Sequence, residues 1–312
     1  MKIQNVGKST FTLNITRLDE ITQKKDELKA LCLESKFRSV FMILSDCKYV
    51  LFRRLLGRII NFNYPLLSRV FLRDTEIRRL FRIMHTEHDL GIIVDRYLSY
   101  SRLSDVSQEK NLRWTEKPYV EIFEELSEYN AWIKKIDFST WKQVIKENTP
   151  VQKKIFKGAI SRDCNFIVKG DFKKFYDYII TSSLKMIGER LGYLEERSEN
   201  AKNRRPEPIV VQFNKPEFKE EGWNEKFIDN MAKLKNTSIT ELHTNPYLHL
   251  SLLDYQDGSS YGIWIVSENE INIIPQVRAT VASITRMLNH IYEVVNEGET
   301  TRYARLEVKT TD

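Results

Sequence analysis

Between Asn245 and Glu299 the hydrophobic pattern switches from alternation to helical spacing, and that switch limits what the chain can fold into. The run opens with NPYLHLSLLDYQDGSSYGIWIV, which alternates like paired strands and breaks at Asp257-Gly258, a sequence suited to a hairpin turn. It closes with PQVRATVASITRMLNHIYE, which predicts an amphipathic helix. The same stretch holds His249, His290, Arg278, Arg286 and several hydroxyls. It is therefore both the clearest fold signal and the most tempting place to look for chemistry.

A chain of 312 residues suggests two domains or one bilobed unit, and 41% hydrophobic residues supply ample core. The net charge of +6 is compatible with nucleic acid or another anionic surface. Cys32, Cys47 and Cys164 are far apart and odd in number, with no zinc spacing or disulfide framework, which predicts a reducing cytoplasm. The N-terminus has no apolar leader. The most apolar stretch, Tyr49 to Leu72, is interrupted by Arg53, Arg54, Arg58 and Arg69, so direct membrane insertion is not expected.

Strands are predicted at Ser9–Ile15, Ser39–Leu44, Lys48–Phe52, Leu90–Ser101, Ile136–Thr140, Ala159–Val168, Ile209–Phe213 and from Ile239 onward, with a last one near Thr301–Lys309. Helices are predicted at Leu18–Glu34, Asp74–Met84, Pro118–Trp132, Asp171–Glu196 and Asn224–Leu234, with Asp171 as an N-cap. The polar stretch Thr140–Lys154, which includes Pro150, marks a boundary between halves. Glu199–Glu207 reads as an exposed basic loop. The sum is a mixed α/β (α+β) chain of two lobes in which strands alternate with helices.

Most catalytic motifs fail on spacing. Gly7-Lys8-Ser9-Thr10 lacks the upstream glycine and the following helix of a phosphate-binding loop. His85 and His88 are three apart rather than four, which points to a polar turn rather than a zinc site. His249 with Asp254 and Asp257 resembles half of a phospholipase-D-type phosphodiesterase motif. Ser251 stands where the phosphate-binding lysine belongs, and Gln256 where the aspartate belongs. Arg286 and His290 lie one helical turn apart, closer than in the helical ribonucleases they resemble.

Basic residues are the stronger signal. Arg53, Arg54, Arg58, Arg69, Arg73, Arg78, Arg79 and Arg82 form one dense group. Lys169, Lys173, Lys174, Lys202, Arg204 and Arg205 form another. Phe52, Phe62, Tyr64, Phe71, Phe172, Phe175 and Tyr176 are interleaved with them. Two readings stay open: a channel that tracks phosphates and stacks bases, or solvated helix faces over core aromatics.

The C-terminal half also resembles the APAZ region that accompanies short prokaryotic Argonautes. The matching residues are Gly170, Asp171, Phe172, Phe175, Tyr176, Asn245, Pro246, Tyr247, His249, Asp257, Gly258, Ser259, Ser260, Pro275, Gln276, Ser283, Arg286, His290 and Glu293. Arg113–Ile133 is a weaker echo. The resemblance implies a non-catalytic module similar to the N, L1 and L2 parts of a long Argonaute. Residues 1–105 would be the N-like lobe, 106–150 a linker-like α/β segment and 151–312 the APAZ-like region. It also implies a heterodimer with a short Argonaute of MID and PIWI lobes, holding a guide RNA and a single-stranded DNA target in prokaryotic defence. No metal or cofactor is implied. The chain lacks room for a fused effector, so a separately encoded one, membrane-bound or not, would be a further partner. Arg204, Arg205, Arg278 and Arg286 are the foremost expected phosphate contacts, followed by Lys169, Lys173, Arg53, Arg54 and Arg58. The rival from another class is a stand-alone nuclease using His249, His290 and Arg286. A duplex-DNA-binding scaffold ranks third, because no helix-turn-helix is evident.

Overall fold

A computed structural model of the chain describes residues 2–18, 25–37, 40–101, 110–146, 149–198, 207–219, 221–244 and 247–301. Its first sheet is an antiparallel meander of β1 (Lys2–Gly7), β2 (Thr10–Leu18), β3 (Lys25–Glu34) and β4 (Phe41–Leu44). Gly7-Lys8-Ser9-Thr10 joins β1 to β2, with Gly7 opposite Thr10, as a hairpin turn rather than a phosphate loop. β3 corrects the helix expected over Leu18–Glu34. Its Lys, Glu, Leu and Ala residues favour helix, but Leu28 and Ala30 are buried while Glu27 and Lys29 are exposed. Pairing on both edges enforces that period of two over local propensity. The strand expected at Lys48–Phe52 is instead the first turn of α1 (Tyr49–Phe62). Leu51, Leu55 and Ile59, four residues apart, pack this helix onto Ile15, Leu28 and Ala30.

α2 (Asp74–Thr86) leads into a second antiparallel sheet. It is built from β5 (Gly91–Ser101), β6 (Lys110–Pro118), β7 (Ala131–Lys146), β8 (Thr149–Ser161) and β9 (Phe166–Gly170), in the order β6-β5-β7-β8-β9. α3 (Tyr119–Glu128) lies between β6 and β7, and Trp132, expected on that helix, belongs to β7. Thr140–Lys154 is not a break between halves: most of it is the β7–β8 hairpin, with Lys142 opposite Lys153 and Ile145 opposite Pro150. α4 (Phe172–Phe175), a π-helical turn at Tyr176–Ile180 and α5 (Thr181–Glu195) follow as one rod, matching the helix expected from Asp171. Asp171 caps it, accepting from the Lys174 amide at 3.0 Å. Phe81, Phe138, Phe156 and Phe175 build the core between this sheet and its helices, through tilted and edge-on ring contacts at 4.8–6.3 Å.

The third sheet takes β10 (Ile209–Gln212), then, after α6 (Trp223–Met231), β11 (Thr237–His243), β12 (Leu248–Asp254), β13 (Ser259–Ser267) and β14 (Glu270–Val277). α7 (Val281–Val294) and β15 (Glu299–Thr301) complete it, in the order β11-β12-β13-β14-β10-β15. Leu250, Leu252, Tyr261, Ile263 and Ile273 meet Ile284, Leu288 and Ile291 of α7 in its core. All the described strand pairs are antiparallel, so the helices are not crossovers of a parallel sheet, and three sheets with three cores replace the two lobes expected.

The second and third sheets meet at a charged seam. Glu297 accepts from the Asp74 amide and, at 3.0 Å, from the Thr75 amide at the open N-terminus of α2. The same carboxylate takes Arg162 Nη1 at 2.7 Å. Arg162 is wholly buried, lies over Trp132 and Phe71, and donates to Asn289 of α7 at 3.1 Å. Asp74 reaches the other way, accepting from the Ile133 amide at 2.8 Å and from Arg78 at 2.6 Å. Arg190 of α5 joins Glu76 of α2 and the Phe71 carbonyl. Removing a carboxylate that both caps a helix and faces a buried guanidinium is expensive. Glu297→Ala is expected to lower the unfolding free energy by about 3 kcal/mol in urea melts. A loss under about 1 kcal/mol would mean the seam is held by other contacts.

Candidate nucleic-acid interface

The stretch that first suggested chemistry is a structural joint. Asp257 and Gly258 form the hairpin turn, Gly258 taking a positive φ of 76° and Asp257 Oδ1 accepting from the Ser259 amide at 2.9 Å. Buried Asp254 accepts from Ser283 Oγ at 2.8 Å and from the Gln256 amide at 2.9 Å. Thr280 caps α7, accepting from the Ser283 amide at 3.1 Å while donating to Asp257. Both arginines here face inward partners. Arg286 Nη2 lies 2.6 Å from Asp254, and its Nη1 donates to the Lys235 carbonyl at 2.8 Å. Arg278, on an exposed left-handed residue, donates to the Asp257 carbonyl at 2.6 Å. These groups hold β13, β14 and α7 together.

The two histidines do not converge. His249 lies on the face of the third sheet opposite its core, against Trp264 with centroids 4.2 Å apart. His290 lies on α7, on the core side, with Nε2 donating to the Asn230 carbonyl at 2.8 Å. The sheet therefore separates His249 from His290 and Arg286, the set a nuclease reading needs. Elsewhere, His85 Nδ1 meets the Leu90 carbonyl at 3.1 Å, and His88 stacks on Tyr178 at 3.7 Å. Among the described residues no three His, Cys, Asp or Glu side chains gather as metal ligands. Arg204, Arg205, Lys202, Asn245 and Pro246 lie outside the described residues.

The arginines of α1 are placed differently. With the apolar stripe of the helix on the first sheet, Arg53, Arg54 and Arg58 point outward. Together with Arg69, Tyr49 and Asn61 they line an open depression of about 650 Å³. Four arginines and no carboxylate form its wall. Arg54 pairs with Asp26, whereas Arg53, Arg58 and Arg69 have no carboxylate partner among the described residues. Arg69 lies across the helix over Gly57, where a Cβ would sit 2.7 Å from its Nη2 and displace the guanidinium slightly. A second depression, of about 390 Å³ between α2 and α5, has no such excess. Its Arg73, Arg79 and Arg190 are offset by Glu76, Glu189, Glu297 and Glu299.

Tyr49 connects the first depression to the outer face of the second sheet, its ring 6.0 Å from Lys135 Nζ. On that face Lys157 stands opposite Lys169 in register, a like-charge pair on neighbouring strands. Lys154 lies over half-buried Trp141 at 5.1 Å and has its amine pKa lowered, first by desolvation and then by Lys157 beside it. Asp95 and Asp137 partly offset this field, reaching Lys157 at 3.5 Å and Lys135 at 3.1 Å. Lys173 is exposed on α4, just past β9. Lys169 and the α1 arginines are thus brought toward one side, together with Lys135, Lys154, Lys157 and Trp141. Sequence reading passed over Trp141 and Lys154 because they sit in a stretch taken for a boundary, and Lys135 and Lys157 because they lie just outside it. Lys154 and Lys157 flank Ile155 and buried Phe156 at a register shift, a placement that becomes legible only once β8 is known to pair.

No helix of the described residues is long and apolar enough to cross a membrane. Comparison of the chain with known protein families, with curated proteins and with solved structures finds no match in any of the three.

Both half-buried histidines titrate below the ordinary imidazole range, His249 through desolvation and then His243, His290 through desolvation. The unfolded chain therefore binds more protons than the folded one just below the unfolded pKa of about 6.5. Stability is expected to fall as pH drops from about 7 toward 5.5. In thermal melts the drop in Tm should shrink in His249→Gln/His290→Gln, and an unchanged pH dependence would assign it to other groups.

Proposed function

We propose that this chain is a non-catalytic accessory subunit that holds a guide strand and its complementary DNA target together with a short Argonaute of MID and PIWI lobes. The observation that carries the proposal is the α1 depression, whose wall holds four arginines and no carboxylate and which opens beside a lysine-bearing sheet face. Such a surface suits phosphates in any sequence, because the charge is on the backbone and the base pairing supplies specificity. The resemblance of the C-terminal half to APAZ regions gives the same answer from the residues. On this reading the matched residues of the third sheet shape the module: Asp257, Gly258 and Ser283 fix the joint between hairpin and helix. The phosphate contacts move from Arg278 and Arg286 to Arg53, Arg58 and Arg69, with Lys169 and Lys173 beside them. Arg204 and Arg205 keep their place on sequence grounds. The three free cysteines fit a cytoplasmic setting, and an effector on another polypeptide would complete the system.

The test is co-expression with a MID–PIWI partner, followed by guide–target binding across a salt series. Arg53→Ala/Arg58→Ala is expected to weaken binding about tenfold near 150 mM salt and to reduce the log–log salt slope by about 1.5. Unchanged affinity and slope would remove the α1 depression from the interface. Failure of the chain to co-purify with any such partner would remove the pairing itself.

A further inference from the structure

Among the described residues no strand pairs with the end of the β7–β8 hairpin. β5 pairs with β7 only as far as Trp141, and β9 pairs with β8 only back to Phe156. Beyond these points five register pairs, Lys142↔Lys153 to Lys146↔Thr149, continue as a two-stranded ribbon about 17 Å long. Among the described residues no third strand joins it. A two-stranded ribbon is marginally stable alone in water. This one also exposes apolar groups toward its tip: Ile145 is 80% exposed and Val151 43%.

The two faces differ. One carries Val144 opposite Val151 and Lys142 opposite Lys153, with Lys142 Nζ tied to the His88 carbonyl at 3.3 Å. The other carries Gln143 opposite Gln152, then Ile145 opposite Pro150. Lys153 and Lys154 are exposed at the base, with Lys157 just beyond. No carboxylate occurs at 142–146 or 149–154, and Glu147 lies outside the described residues.

We propose that this ribbon is an arm that enters the major groove of double-stranded DNA. The B-form major groove, about 12 Å wide, admits a two-stranded ribbon, whereas the deep, narrow major groove of A-form RNA does not. Gln143 and Gln152 then face base edges, where a side-chain amide matches the donor and acceptor of adenine. Ile145 meets thymine methyls, and Lys153 and Lys154 reach the phosphates of the groove wall. The cationic base with its carboxylate-free strands is the complementarity that selects an anionic partner. This goes beyond guide–target holding and does not require the Argonaute pairing.

The experiment uses the full chain alone, with a labelled 20-base-pair DNA duplex, the same sequence as an RNA duplex, and each single strand, read by fluorescence anisotropy across a salt series. The DNA duplex is expected to bind at least about tenfold more tightly than the RNA duplex. Lys153→Ala/Lys154→Ala should weaken DNA binding and lower the salt slope by about 1.8, at about 0.9 per phosphate contact. Gln143→Ala/Gln152→Ala should weaken DNA binding with the slope unchanged. Thermal melts of each variant check folding, and the arm lies outside all three cores. Lack of duplex binding by the folded wild-type chain, equal affinity for RNA and DNA duplexes, or an unchanged slope in the lysine variant would each overturn the proposal. Loss of guide–target binding in Arg53→Ala/Arg58→Ala tests the α1 depression separately.

Discussion

The joint between two of the three sheets centres on one carboxylate. Glu297 closes the open N-terminus of α2 and neutralises wholly buried Arg162, so one side chain satisfies two helix amides and a guanidinium from the tip of β8–β9. An arginine without solvent needs both an anion and hydrogen-bond acceptors. It finds them only where strand tip, helix start and the segment after α7 coincide. Asp74 and Glu76 extend the same logic to Ile133, Arg78 and Arg190. The seam therefore fixes the relative position of the second and third sheets by charge and direction, where apolar contact alone would leave freedom to slide.

That rigid frame leaves the remaining cations on the outside. The arginines that are buried, Arg162, Arg190 and Arg197, lie against aromatic rings and internal oxygens. Those of α1 face outward with little to neutralise them. The distinction between an arginine that builds and one that reaches outward was invisible in the sequence, where both belong to one dense cluster. Arg286 shows this most clearly: helical spacing placed it beside His290, but its charge belongs to Asp254 one layer below.

The fold was legible where pattern and context agree. The β12–β13 hairpin, its turn at Asp257-Gly258, α2, the rod beginning at Asp171 and α7 all follow from periodicity and caps. It was illegible where they conflict. β3 is rich in helix formers yet pairs on both sides, and α1 begins with Tyr49-Val50-Leu51-Phe52, which reads as a strand until Leu55 and Ile59 extend its stripe. The polar hairpin of β7 and β8 looked like a linker because a ribbon exposed on both faces has no alternation to detect. The candidate site suffered most from that error, since its lysines and Trp141 lie on those strands.

The strand order of the third sheet also has a consequence in time. β11, β12, β13 and β14 are successive neighbours separated by few residues of sequence, so their pairing closes small loops and is fast. β10 and β15 come from either side of that meander in sequence and sit beyond β14. The Glu297–Asp74 contact spans 223 residues of sequence, the kind of non-local pairing that is slow to form. Local contacts favour the meander with α7 over the distant pairings of β10, β15 and Glu297. α2 and Arg162 thus depend for their anion on a residue more than 130 positions away in sequence, so both stay incomplete in any fragment that stops before Glu297.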